Sequence, residues 1–227
     1  MLVSKPEMIL IDLDGTLIDS VPDLAYCVNV TMKAMGRAEW PEENVRNWVG
    51  NGVDRLVKRA LLGQLDGEPD TAIFRNAIDI FMETYANNVS GRSYLYPGVM
   101  EGLDGLAKMG CRISCVTNKA ARFTEPLLAD MGILDRFELI VSGDTTARKK
   151  PDPLPLLYAA EKTGVSPAVS LMVGDSVNDV AAARSAEFQV VCVPYGYNHG
   201  NDIRDAKPDA VIDDLSQLPD LLNNLDK

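Results

Sequence analysis

The chain has 227 residues, 46% of them hydrophobic and 24% charged, enough to bury a substantial core and too apolar for a disordered tail. With 33 acidic against 22 basic residues its formal net charge is -11, which repels nucleic acid and anionic membrane surfaces. The four cysteines, Cys27, Cys111, Cys115 and Cys192, are scattered without a C-x-x-C pair, so they read as thiols in a reducing compartment and no zinc site is expected.

Met8 to Leu13 is an apolar run of strand length, and Gly15 stops it. Asp12 and Asp14 are left two residues apart at its carboxyl end. Alternation along a strand starts both side chains on one face, so their repulsion must be relieved by a cation, a proton or hydrogen bonds. Such a pair also suits the cap of a turn before a helix. Ser20 then precedes a run with helical spacing through Met35, ended by Gly36. Further helices are expected over 41–49, 53–62 and 71–89, with turn residues at Gly50-Asn51-Gly52 and from Gly63 to Asp70, and no strand among them.

Near Gly91 the pattern changes. A turn at Tyr96-Pro97-Gly98 leads to a helix over 99–109, a strand over 112–117 and a helix over 122–131. Strands over 138–142, 170–174, 189–193 and 210–212 follow, with helices between the first three. This alternation predicts an α/β class protein, a doubly wound, Rossmann-like parallel sheet. Residues 1–19 and 92–227 would form that core domain, and 20–91 an inserted helical domain.

Ligands of doubly wound sheets bind at the carboxyl ends of the strands. The 112–117 strand ends in Thr117-Asn118-Lys119, a hydroxyl and an amide before a helix N-terminus able to hold a phosphoryl oxygen; Thr117 equally suits a helix cap. Arg148-Lys149-Lys150-Pro151 places a lysine doublet before a proline turn. The 170–174 strand ends in Gly174-Asp175-Ser176-Val177-Asn178-Asp179.

Asp12-Leu13-Asp14-Gly15-Thr16 resembles the D-x-D-G-T signature of the haloacid dehalogenase superfamily, in its phosphatase branch. The three later segments are similar to that family's second, lysine and G-D-x-x-x-D motifs, in order. The resemblance implies that Asp12 is the nucleophile toward phosphorus and Asp14 the general acid and base. It implies that Lys150 contacts nucleophile and phosphoryl group, with Thr117 and Asn118 completing the phosphate cradle. A magnesium ion would be held by Asp12, the Asp14 carbonyl and Asp175. Asp179 would orient Lys150 or a water, Thr16 would support the Asp14 loop, and the helical insert would be a mobile cap.

Val45 to Gly52, continuing over Leu56 to Leu61, resembles the cap of bacterial phosphoglycolate phosphatases, as Tyr195-Gly196-Tyr197-Asn198 resembles their Y-G-Y segment. The implied substrate is a small anionic phosphomonoester, first 2-phosphoglycolate; sugar, amino-sugar and nucleotide phosphates stay open. Its carboxylate would need donors, for which Gly50, Asn51, Gly52 and Arg55 are candidates; the glycine turn also reads as a simple link between helices. Glu187-Phe188 departs from the family, which places glycine and a small residue there.

A phosphosugar mutase of this fold would carry a histidine and an arginine near the positions of Leu24 and Val53. The single histidine, His199, lies in a polar loop and is expected to be exposed. A dehalogenase would lack Asp14. A non-catalytic phosphate-binding regulator is separated from an enzyme by magnesium-dependent turnover of an aryl phosphate. The chain is expected to be cytoplasmic, with no nucleic-acid or membrane partner; charge pattern leaves the oligomeric state undetermined.

Overall fold

The computed structural model describes residue 2 and residues 5–226. The strand β1 (Met8–Ile11) leads into a second, short strand, β2 (Ile18–Asp19), and then four helices: α1 (Val21–Ala34), α2 (Glu42–Trp48), α3 (Val53–Leu62) and α4 (Thr71–Ala86). The remainder alternates: β3 (Tyr94–Leu95), α5 (Val99–Lys108), β4 (Arg112–Val116), α6 (Ala121–Asp130), β5 (Leu139–Val141), α7 (Leu154–Thr163), β6 (Ser170–Gly174), α8 (Val177–Ser185), β7 (Gln189–Cys192), β8 (Ala210–Val211) and α9 (Leu218–Asn223).

Six strands form one parallel sheet in the order β5-β4-β1-β6-β7-β8. The chain winds outward from β1 through β4 to β5, then crosses back to β6 on the other side of β1. The winding therefore reverses at β1, whose carboxyl end opens into the crevice where such sheets bind ligands. Both faces of the sheet are covered. Ile9 and Ile11 pack with Leu103, Leu106, Leu127 and Leu218 from α5, α6 and α9, while Met8 and Leu10 pack with Leu156, Ala159, Val180 and Ala183 from α7 and α8. The period-two alternation of β1 is thus spent on two apolar layers, which is why the run reads as continuous rather than amphipathic.

The α1–α4 block lies between β2 and β3, which pair antiparallel through Ile18–Leu95 and Asp19–Tyr94. Neither strand was expected, because two residues are too short to show alternation. The block has its own apolar cluster, including Val28, Met32, Val45, Trp48, Val57 and Phe81, joined by Phe123 and Tyr197 from outside it. Its two ends are tied to each other. Asp23 of α1, fully buried, accepts hydrogen bonds from the Arg92 and Ser93 N–H groups, both 2.8 Å, and from the Ser93 hydroxyl at 2.7 Å.

The family departure at Glu187 has a backbone consequence: its φ is +62°, a left-handed conformation that glycine adopts without strain. Phe188 is buried among the α7 and α8 side chains. His199 is half-buried rather than exposed, and its Nδ1–H donates to the Asn47 carbonyl at 2.8 Å, since a carbonyl can only accept. No described helix is long and apolar enough to cross a membrane.

Candidate active site

Asp12 continues the β1 ladder by one bond, its N–H donating to Val173 at 2.9 Å, after which the chain turns sharply. The Leu13 carbonyl collects the N–H groups of Thr16, Leu17 and Ile18. Gly15 makes this turn at φ +92°, and a Cβ there would strike the Asp175 carboxylate from β6. The neighbouring strand ends bring their loops to the same point. Asp12, Asp14, Thr117, Asn118, Lys119, Lys150, Asp175 and Asp179 all line one cavity.

Lys150 is 3% exposed, so its charge needs partners, and it has them. Its Nζ lies 2.8 Å from Asp12 Oδ1 and 2.7 Å from Asp179 Oδ1, and it donates to the Val116 carbonyl at 2.7 Å. The other oxygen of Asp179 accepts from the Ser176 hydroxyl at 2.7 Å and its N–H at 3.1 Å, fixing the start of α8. One carboxylate therefore ties the lysine to the helix.

Asp12, Asp175 and Asp179 each place a carboxylate oxygen within 4.8 Å of the others. Burial, with Asp179 close by, pushes the Asp12 carboxyl up to about 7 against the pull of Lys150. Burial, with Asp179 and Asp12, also raises that of Asp175. Such a crowded all-oxygen set suits a hard divalent cation, which would offset the charge that burial disfavours. Asp175 is already oriented: Thr16 donates to Oδ1 at 2.8 Å and the Tyr197 N–H to Oδ2 at 2.5 Å. The Thr16 hydroxyl thus ties the Asp14 loop to Asp175.

Asp14 is half-buried and paired with Lys119, whose Nζ reaches its two oxygens at 3.0 and 3.2 Å. Ser20 donates to the same carboxylate at 2.6 Å. Lys119 is 6% exposed and sits 5.1 Å from the Tyr85 ring centroid on α4. Burial works against its charge, but Asp14 and Tyr85 hold its pKa above the ordinary lysine value.

Thr117 lines the cavity while its hydroxyl accepts the Lys119 N–H at 3.1 Å. The α6 N-terminus is not free for an anion, because the Ala121 N–H donates to Asp144 at 2.8 Å. The Asn118 side chain closes the cavity instead: its Nδ2 donates to the Gly50 carbonyl at 3.0 Å and the Lys150 carbonyl at 2.9 Å.

On the helical side, Gly50 and Gly52 line the cavity with Leu24, Val49, Val53 and Leu56. Asn51 and Arg55 do not. The Asn51 side chain accepts from Arg59 at 2.8 Å, and Arg55 is drawn outward to Asp66 and Glu68, both at 3.1 Å. Arg55 follows the charges of the α3–α4 loop, which nothing at its own position announces.

Residues 9–193 match the model of the haloacid dehalogenase-like hydrolases. The chain belongs to that family. This hydrolase is 55% identical over 222 residues to the phosphoglycolate phosphatase of Nitrosococcus oceani, covering 98% of this chain and 99% of that one. It is 49% identical over 209 residues to that of Thiobacillus denitrificans, covering 92% of each. Its fold is similar to the crystal structure of a predicted phosphoglycolate phosphatase from Haemophilus somnus 129pt, with a TM-score of 0.89 and 35% identity over 96% of this chain and 98% of that one.

In this hydrolase three contributors went unread in the sequence: Lys119, Ser20 and Tyr197. Lys119 carried a signal, as the third residue after a buried strand in a row with two candidates. Tyr197 stood in the Y-G-Y segment with no role attached; its hydroxyl donates to the buried Asp19 at 2.6 Å and accepts the Ser20 N–H at 3.0 Å.

Proposed function

We propose that the chain hydrolyses 2-phosphoglycolate to glycolate and phosphate through an aspartyl-phosphate on Asp12, with residues 20–91 acting as a cap over the cavity. The observation that carries this reading is Lys150 bridging Asp12 and Asp179 beside Asp175, at the end of β1, in a chain 55% identical to a phosphoglycolate phosphatase. An Asp12 oxygen attacks phosphorus as the bond from phosphorus to the ester oxygen breaks, and Asp14 gives its proton to the departing glycolate oxygen. Asp14 then takes a proton from the water that attacks phosphorus, releasing phosphate and restoring Asp12. Lys150 offsets charge on the phosphoryl oxygens, held in line by Thr117 and the Asn118 backbone, so the chain works by positioning and electrostatics.

Asp12, Asp175 and the Asp14 carbonyl would hold a divalent cation, magnesium for these hard oxygen donors, which when bound neutralises phosphoryl charge. Asp179 stands in the same cluster but is committed to Lys150 and the start of α8.

Phosphate release across a panel of small esters tests the reading. A strong preference for 2-phosphoglycolate over sugar, amino-sugar and nucleotide phosphates supports it; efficient turnover of another ester in its place overturns the substrate.

Cation binding should also be visible in stability. The Asp12 pKa stands at about 7 in the folded chain against 3.8 when unperturbed, so the folded form keeps a proton that the unfolded form loses between those values. The stability this proton contributes is full below about pH 4 and lost as pH rises through about 7, where the carboxylate is free for a cation. Magnesium should therefore raise the melting temperature more at about pH 8 than at about pH 5.5. Equal shifts at both values would count against Asp12 as a ligand.

Asn118→Ala removes two neutral hydrogen bonds, one to the cap and one to the Lys150 backbone. At about 1 kcal/mol each, kcat/KM should fall roughly tenfold or more, with a rise in KM. Unchanged steady-state constants would show that Asn118 does not hold the cavity closed during turnover.

A further inference from the structure

A glycolate leaving group carries a second negative charge, and the cap offers it no cation. The cap side of the cavity is Leu24, Val49, Val53 and Leu56 with the Gly50 and Gly52 backbone. Of the cap arginines near it in sequence, Arg55 is drawn out to Asp66 and Glu68, Arg59 is spent on the Trp48 and Leu65 carbonyls, and Arg46 is held by Asp19. Among the described lining residues the cations are Lys119 and Lys150, and both come from the sheet side.

Lys150 is taken by the nucleophile, by Asp179 and by a carbonyl. Lys119 differs. Asp14 accepts two of the three N–H donors that an ammonium carries, and the Tyr85 ring stands behind it at 5.1 Å. The Tyr85 hydroxyl is buried, makes no hydrogen bond within 3.5 Å, and interacts with this ammonium.

We infer that Lys119 is the specificity-determining residue that receives the leaving group's carboxylate. The inference rests on the phosphoryl transfer from the ester to Asp12 and the acid role of Asp14. An acid that protonates the ester oxygen stands within hydrogen-bond reach of it, and Lys119 Nζ lies 3.0 Å from that same acid. A carboxylate borne on the carbon bonded to the ester oxygen begins two bonds beyond that oxygen, on the side away from phosphorus. Lys119 is buried beside that acid and against the Tyr85 ring of α4, out of water, where a charge-assisted hydrogen bond to this carboxylate is strong and a neutral group would forfeit it. The ligand class is therefore an ester of phosphate with a 2-hydroxy carboxylate. The Leu24, Val49, Val53 and Leu56 side chains add no polar group on the cap side of the cavity.

Two matched pairs test this: 2-phosphoglycolate against 2-hydroxyethyl phosphate, and 2-phospholactate against the phosphate ester of its reduced alcohol. Each pair differs only in the carboxylate, so any loss of Asp14 positioning affects both members and cancels in the ratio. In Lys119→Met the kcat/KM preference for the carboxylate member should shrink at least about tenfold relative to wild type, and Lys119→Arg should retain part of it. Equilibrium binding of the first pair to Asp12→Asn and to Asp12→Asn with Lys119→Met reads the same ratio without turnover, should the single variant be inactive. An undiminished preference in Lys119→Met overturns the inference and leaves the 2-phosphoglycolate reading standing. Lack of any carboxylate preference in the wild type overturns it too. A Lys119-dependent preference for 2-phospholactate with 2-phosphoglycolate untouched supports it while the substrate reading falls.

Discussion

Asp12→Asn should lower phosphate release by roughly 10⁴-fold or more while the protein stays folded. The amide keeps the shape of the side chain but is a far poorer nucleophile toward phosphorus. Its burial is easier than that of the carboxylate, whose pKa is pushed up to about 7 chiefly by desolvation. Lys150 keeps Asp179 at 2.7 Å and the Val116 carbonyl. The melting temperature without metal should therefore stay level or rise, and the magnesium-induced stabilisation should shrink. A variant that turned over at near wild-type rates would remove Asp12 from the nucleophile role; one that unfolded would show that the Asp12–Lys150 pair is structural.

Lys150→Met should damage both activity and stability, and this double loss separates it from Asp12→Asn. Asp179 is fully buried and Asp12 nearly so, and without the ammonium both carboxylates face each other and Asp175 uncompensated. Removing one member of a buried charge set costs about 3–5 kcal/mol, which for a chain of this size lowers the melting temperature by roughly 10 °C. Part of that loss should return on acidification toward about pH 5, because Asp12 relieves the repulsion by taking a proton. Turnover should fall by roughly 10³-fold or more from the missing charge on the phosphoryl oxygens. Thermal unfolding with and without magnesium across this pH range, beside kcat, checks all three; a variant with unchanged stability would mean that Lys150 is not the charge that holds Asp12 and Asp179 together.

The parallel sheet was legible because each of its strands is a short apolar run bounded by turn residues, and both faces of the sheet demand apolar side chains. The helices 53–62 and 99–109 were read within a residue of α3 and α5, since a 3.6-residue stripe ended by Gly63 or Gly110 is a local signal. The two-residue strands β2 and β3 were missed, whereas β8, equally short, was read from the apolar run Ala210-Val211-Ile212. Also missed was α9, whose six residues offer little more than one turn.

The candidate site divides along the same line. Asp12, Asp14, Thr117, Asn118, Asp175 and Asp179 were named because each follows an apolar strand in a recognisable local pattern, and Lys150 because it precedes Pro151 in a segment resembling the family's lysine motif; the structure brings all seven to one cavity. Arg55 was named for proximity in sequence, and the fold draws it out to Asp66 and Glu68; Asn51 was named with its glycine turn, of which Gly50 and Gly52 line the cavity while the Asn51 side chain accepts from Arg59. Thr16 was named for its loop, and only the structure supplies its partner, Asp175.

What the sequence by itself determined is which residues are able to do chemistry and which elements carry them, since hydrophobic period, turn residues and strand-terminal motifs act over fewer than about twenty residues. What only the tertiary structure decided is who faces whom. Lys119 meets Asp14 across 105 positions, Thr16 meets Asp175 across 159, and Tyr197 meets Asp19 across 178. Such pairings are set by strand order and by the burial of charge, which force each buried ionic group onto whichever partner the packed chain brings within reach. No local pattern encodes that partner, because its position along the chain is free as long as its position in space is right.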